Sequence, residues 1–299
     1  PPANKLIPLR PSTIKPPKPV YERRQFVYQQ DSNDYFYYEY LISDEQTNKL
    51  LPVIIVCFMG GHSKSACIRR LAQKLSKQHD VYIILPRGSL DTQINPKQKK
   101  FRSEGYDTED IESLVQLVGK CYLVGYSLGG LTVGHYLAST KQTNVQKAFL
   151  GYTEHDPNHS TKIPQKIKLM LGTCLKSYIT SNKEYFLNHA FTQQQLDDIL
   201  MNGTIIRYDE IVWCSLKGYK TVEEYYNSVN LKNRIKDFKI PTLFFNVDDD
   251  IICGKIYLTN EIMNNKNVNL VVINKGNHLG GVLRNGSDIA SEIAAQFFK

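Results

Sequence analysis

The amino-acid sequence predicts an α/β fold, a mostly parallel sheet with helices on both faces. Two observations predict it. Short continuous apolar runs, of the kind a strand buried on both faces shows, alternate with stretches whose apolar residues recur at helical spacing. One such run also gives way to such a stretch through Gly125-Tyr126-Ser127-Leu128-Gly129, whose glycines suit a sharp turn between strand and helix.

Taken in order, residues 1–20 hold seven prolines and no periodicity, which predicts an extended arm. Gln25–Gln29 and Tyr35–Ile42 read as strands joined at the turn cluster Asp31-Ser32-Asn33-Asp34. Leu51–Phe58 is a buried strand ending at Met59-Gly60-Gly61-His62. A helix follows with Ile68, Leu71, Ala72 and Leu75 on one face. Val81–Leu85 is the next strand, and Leu90–Gly105 is loop. Asp107 is expected to cap a helix carrying Ile111, Leu114, Val115 and Val118, with Asp110 completing a capping-box-like pair. The run Tyr122–Val124, the pentapeptide and its helix come next, then a strand over Val145–Tyr152. This alternation is what a parallel sheet requires.

From about 154 to 239 the rhythm changes to helical patterns, with Ile205–Tyr208 the one stretch that also reads as a strand. A helical cap inserted into the sheet domain is expected here. The rival reading is a set of peripheral helices that never approach the site. The sheet resumes at Ile240–Val247, which runs into Asp248-Asp249-Asp250. A helix near Lys255–Met263, a strand over Val268–Ile273, the loop Asn274–Gly280 and an amphipathic helix over Ile289–Phe298 close the chain. The expected organisation is thus a Pro-rich basic arm at 1–20 and one domain at 21–299 with the cap insertion at 154–239.

Composition narrows the function classes. With 41% hydrophobic and 22% charged residues, the 299-residue chain reads as a globular protein with a large core. The formal charge is +8. Much of that excess sits near the start, where Lys5, Arg10, Lys15, Lys18, Arg23 and Arg24 face only Glu22. The body therefore lacks the clustered basic face of a nucleic-acid binder. The arm has two readings, a solvated tail or a segment making peripheral contact with an anionic membrane surface, and the tail is preferred. No apolar run reaches the length of a membrane span and no signal-peptide pattern is present. The chain opens on Pro1 and not Met, which fits an upstream segment that has been removed. Six cysteines without C-x-x-C spacing read as small buried hydrophobes in a reducing, cytoplasmic compartment. No metal or cofactor is expected. His155, Asp156 and His159 are the nearest approach to a ligand cluster, and Asp156-Pro157 opposes the helix that would align them.

The pentapeptide is a G-x-S-x-G, and its setting makes it a nucleophile elbow. A serine hydroxyl needs a neutral imidazole to take its proton, and a carboxylate to hold that imidazole in the right tautomer. In a doubly wound sheet both must come from loops at the carboxyl ends of strands. His278 alone of the seven histidines follows the last strand, and an acidic cluster ends the strand before it. Asp250 is the first choice of acid and Asp249 the second. The oxyanion hole needs two backbone N–H groups. Leu128, after the nucleophile, supplies one, and Met59, with Gly60 as alternative, the other. His62 is read either as a substrate contact or as a surface histidine.

These residues bring a family into view. Gly61-His62-Ser63-Lys64 with Ile68-Arg69, Arg87-Gly88, Gly105–Asp110, Val124–Gly130, Gly218–Tyr226, Ile240–Asp250 and Gly276–Gly280 resemble, in order, the motifs of the YheT-type α/β-hydrolases, family 4 of that superfamily. The paired-tyrosine segment Gly218–Tyr226 is the distinctive one, and the resemblance covers Tyr21 to Lys299. It implies the α/β-hydrolase fold, esterase or phospholipase-like activity, and the later aspartate, Asp250, as the acid. The chain departs from the family at Phe58, where glycine is usual. It also shows no N-terminal membrane anchor of the kind many relatives carry.

The expectation is a serine hydrolase that cleaves a carboxylic ester, an acyl lipid or short-chain ester, through an acyl-enzyme. Two rivals are an acyltransferase using the same acyl-enzyme and a non-catalytic binding or scaffold protein on this fold, the latter motivated by Phe58.

Overall fold

The computed structural model describes residues 19–102, 107–139, 144–153, 156, 163–214, 218–253, 260–281 and 287–299. Nearly all of the Pro-rich arm, the histidines His155 and His159, residues Gly105 and Tyr106, and most of the helix expected over Lys255–Met263 lie outside them. The α/β-hydrolase fold is present: eight strands among the described residues form one sheet.

The chain enters through an antiparallel pair, β1 (Glu22–Val27) and β2 (Tyr35–Leu41). The Asp31 carboxylate accepts the Asn33 amide in the turn between them. Then follow β3 (Val53–Val56), α1 (Ala66–Leu75), β4 (Val81–Ile84), α2 (Glu109–Val118), β5 (Cys121–Tyr126), α3 (Leu128–Ser139) and β6 (Val145–Gly151). After a helical insertion come β7 (Thr242–Val247), the short helix Asn260–Asn264, β8 (Val268–Ile273) and the last helix, Ile289–Phe297. The sheet order is β1-β2-β4-β3-β5-β6-β7-β8, and β3 to β8 run parallel. Parallel strands need covering on both faces, which is why their runs are continuously apolar. Ile54, Leu123, Leu150 and Phe244 point to the side packed by α2 and α3. Val53, Val124, Phe149 and Phe245 point to the side packed by α1 and the last helix.

The start of α2 differs from expectation. Thr108, not Asp107, is the N-cap, and Asp110 makes no capping box. Asp110 is drawn inward by Arg87, whose Nε and Nη2 donate to its two carboxylate oxygens at 2.8 Å. Arg87 and Arg102 also share Asp34, at 2.9 and 2.6 Å. Burial raises the Asp110 pKa, but the Arg87 guanidinium together with the Tyr28 hydroxyl and Arg102 outweighs it and holds the carboxyl below the usual range. A buried bidentate pair outcompetes a local cap because its charges have no water to turn to.

Between β6 and β7 lie α4 (Gln165–Ser181), α5 (Lys183–His189), α6 (Gln193–Asn202), α7 (Ile205–Asp209), a π-helical turn (Glu210–Cys214) and α8 (Val222–Ser228). Ile205–Tyr208, which also read as a strand, is helix, with Thr204 accepting the Arg207 amide at its start. Thr192 forms a capping box with Gln195 at the start of α6. These helices share an apolar cluster of their own that includes Ile179, Phe186, Leu196, Trp213 and Tyr225. Among the described residues no helix is long and apolar enough to cross a membrane.

Candidate active site

The turn after β5 is sharp enough to put Ser127 at φ +53°, a conformation costly for a residue with a Cβ. A methyl on Gly125 would overlap the backbone of Gly129 and Gly130, so the glycines at this turn are sterically required. Ser127 stands at the head of α3 with its amide held by the Gly151 carbonyl at 2.9 Å. Its Oγ is thereby presented at the carboxyl edge of the sheet.

Two loops at that same edge bring the partners. Asn277 and Gly280 exchange backbone hydrogen bonds at 3.0 Å after β8, a tight turn that throws His278 inward. Its Nε2 lies 2.9 Å from Ser127 Oγ and its Nδ1 2.8 Å from Asp250 Oδ2. Asp250 is 3% exposed. Its Oδ1 accepts the amides of Ile252 and Cys253 at 2.8 and 3.1 Å. Burial raises the Asp250 pKa, but His278 and the two amides outweigh it and leave the carboxyl below its ordinary value. Asp249, the alternative, turns away and accepts the Gly276 amide at 2.9 Å. Its neighbour therefore touches the histidine while it pins the histidine loop.

A cavity of about 530 Å³ opens over Ser127 and His278. Phe58, Met59 and Leu128 form its wall beside the serine, and Leu171, Leu175 and Ile206 from the helical insertion form the far side. The insertion does reach the site, so the reading in which those helices stay peripheral is corrected. Phe58 is accommodated by glycine elsewhere in the loop. A Cβ on Gly61 would come 2.7 Å from the Phe58 carbonyl oxygen and 3.1 Å from its ring. The Phe58 side chain thus becomes cavity wall.

Both expectations for His62 are corrected. It is 1% exposed, bonded through Nε2 to Asp91 at 3.0 Å and through Nδ1 to Ser63 at 2.9 Å. It is neither a surface histidine nor a residue of the described cavity. The cysteines are also less uniform than expected. None is in a disulfide, but Cys174 is exposed while the other five are buried.

Two residues of the site escaped the sequence reading. Cys253 is buried beside the triad-like group, its Sγ 2.9 Å from the Tyr152 carbonyl oxygen and 3.7 Å from His278 Nδ1. Scattered spacing conceals it, because the contact is made across 25 residues of chain. Asp209 lines the cavity and accepts the Tyr226 hydroxyl at 2.7 Å. Burial pushes its carboxyl up to about 7, with Tyr226 pulling down and Glu210 pushing up. The signal in the chain is weak: Asp209 stands between Arg207 and Glu210 as one of three charged residues in the mostly apolar stretch Ile205–Cys214.

No family model matches the chain. Over 188 residues it is 27% identical to the phospholipase ABHD3 of Bos taurus, an alignment covering 58% of this chain and 45% of that protein. It is 21% identical over 285 residues to the medium-chain fatty acid ethyl ester synthase/esterase 2 of Saccharomyces cerevisiae, covering 83% of this chain and 62% of that one. The chain thus spans about half the length of the first of these relatives. Among solved structures, the 2,6-dihydroxy-pseudo-oxynicotine hydrolase superposes with a TM-score of 0.60 at 13% identity, covering 94% of this chain and 67% of that one. An α/β fold family hydrolase from Bacillus anthracis superposes at 0.54 with 16% identity, covering 93% and 98%.

Proposed function

We propose that this chain is a serine hydrolase that cleaves carboxylic esters, an acyl lipid or a medium- or short-chain ester, through an acyl-enzyme. One observation carries the reading: Ser127 Oγ, His278 and Asp250 form an unbroken hydrogen-bonded line at 2.9 and 2.8 Å, opening on an apolar cavity. In this mechanism His278 Nε2 takes the Ser127 proton as Oγ attacks the ester carbonyl carbon. Asp250 keeps the other ring proton on Nδ1 and stabilises the imidazolium that forms. The negative charge that develops on the carbonyl oxygen is met by the amides of Leu128, at the head of α3, and of Met59. Collapse expels the alcohol, which takes the proton from His278. Water then repeats the cycle on the acyl-enzyme and releases the acid.

The apolar walls suit an acyl chain, and a volume of this size is that of an ordinary small-molecule site. The relatives named a phospholipase and an ethyl ester synthase/esterase support acyl-ester chemistry. The second name also favours a second reading, in which an alcohol replaces water as the acceptor of the same acyl group.

The test is labelling by a fluorophosphonate probe, which reacts only with an activated serine. The wild type is expected to label and Ser127→Ala is not. An unlabelled wild type sinks the enzyme reading and leaves the scaffold one. Product analysis with an added alcohol separates transfer from hydrolysis.

A further inference from the structure

We propose that Asp250, Cys253 and His278 form an inhibitory binding site for a thiophilic divalent cation, zinc or cadmium, on the face of the imidazole turned away from Ser127. The Asp250 carboxylate, the Cys253 sulfur and a ring nitrogen of His278 all lie within 4.8 Å of one another. The Cys253 Sγ to His278 Nδ1 separation is 3.7 Å. Zinc bound at about 2.3 Å to sulfur and about 2.0–2.1 Å to nitrogen, with tetrahedral angles, needs about 3.6 Å between those atoms. The sulfur and nitrogen therefore already stand at ligand spacing. Asp250 Oδ2 and Nδ1, 2.8 Å apart across a hydrogen bond, must open by about 0.5 Å to reach the corresponding zinc spacing.

The donor set selects the ion. One thiolate, one imidazole and one carboxylate suit zinc or cadmium, whereas magnesium and calcium seek several oxygen ligands. The outer shell is in place as well, because the Ile252 and Cys253 amides hold Asp250 Oδ1 and leave Oδ2 to turn to a metal. Access runs through the cavity, which both Cys253 and His278 line.

The chemistry balances with one proton. Cys253 gives up its thiol proton and its bond to the Tyr152 carbonyl. Asp250 is already a carboxylate. The His278 proton cannot stay on Nδ1 once the metal takes that lone pair, so it moves to Nε2. The metal forms bonds to sulfur, nitrogen and oxygen, and one proton goes to solvent. Nε2 then carries hydrogen and has no lone pair for Ser127 Oγ. This consequence for catalysis rests on reading His278 as the base. The binding itself does not.

The experiment uses the purified chain in chelator-free buffer, titrated with cadmium chloride and zinc chloride, with magnesium chloride as control. Cadmium is expected to give an ultraviolet thiolate charge-transfer band that Cys253→Ser loses and Cys174→Ala keeps. Zinc is expected to release one proton per chain. It should slow fluorophosphonate labelling of the wild type roughly ten-fold or more, reversibly by chelator, and leave Cys253→Ser labelling unchanged, as loss of a ligand weakens the site by at least that factor. Cys253→Ser keeps the size and the hydrogen bond to Tyr152, and Cys253→Ala serves if it folds poorly. Equal inhibition of wild type and Cys253→Ser, or a cadmium band that survives Cys253→Ser, overturns the proposal. If the wild type does not label even without metal, the band and the proton count still decide the site, so failure of the hydrolase reading is seen separately.

Discussion

Tyr226 donates its hydroxyl proton to Asp209 at 2.7 Å, across the wall of the cavity that holds Ser127. The pair ties α8 to the end of α7 within the helical insertion. It also leaves a carboxyl, 9% exposed, in apolar surroundings.

That burial gives stability a pH dependence with a definite sign. The folded Asp209 titrates at about 7 against an ordinary 3.8, so between those values the folded chain binds more protons than the unfolded one. The contribution of Asp209 is therefore fully present below pH 3.8, falls as pH rises and is lost above about 7, a loss of a few kcal/mol. Asp209→Asn cannot ionise and still offers Tyr226 an acceptor. Its melting temperature is expected to fall less than that of the wild type between pH 5 and 8, by several degrees. Parallel melting curves refute this account.

The two neighbouring acids separate by substitution. Asp250→Asn keeps the shape but favours the wrong tautomer of His278, and a loss of about 10⁴-fold in kcat is expected by analogy with serine proteases. Asp249→Asn retains an oxygen for the Gly276 amide and should lose far less. Steady-state kinetics on an activated ester decides it. A larger loss in Asp249→Asn would reverse the assignment.

If His278 is the base, acidification should abolish hydrolysis. Once His278 is protonated, Nε2 has no lone pair for Ser127, so kcat/KM must fall as pH drops. Circular dichroism across the same range checks that the fold persists. A flat rate profile where His278 is protonated counts against it as base.

Gly129 tests the proposed oxyanion wall. A methyl there would overlap the carbonyl oxygens of Val56 and Cys57, which lead directly to Phe58 and Met59. Gly129→Ala should push that loop away from Leu128 and cost kcat more than KM, since the displaced amides matter most in the transition state. Unchanged kcat would show that the loop adapts.

Arg87→Met probes the ion pair between Arg87 and Asp110. Removing the guanidinium takes the bidentate partner from Asp110 and leaves Asp34 to Arg102 alone, and a loss of roughly 3–5 kcal/mol is expected in denaturant unfolding. A loss below 1 kcal/mol would mean that water reaches those carboxylates.

Period and order in the chain were enough to reveal the sheet, the elbow at Ser127 and the histidine loop. A strand buried on both faces must be apolar throughout, and a turn too tight for Cβ atoms must carry glycine, so both leave local marks. Neighbouring acids leave no such mark: nothing in Asp248-Asp249-Asp250 says which one turns inward. That choice depends on which carboxylate the Ile252 and Cys253 amides and the His278 ring can surround together. Likewise Asp110 looks like a cap until Arg87, 23 residues earlier, is folded against it. Cys253 looks like one more scattered thiol until β7 and β8 bring it 3.7 Å from His278 Nδ1. Local sterics are written in adjacent residues, whereas the pairing of buried polar groups is decided between elements distant in the chain, where each group takes the best partner the packed fold leaves within reach.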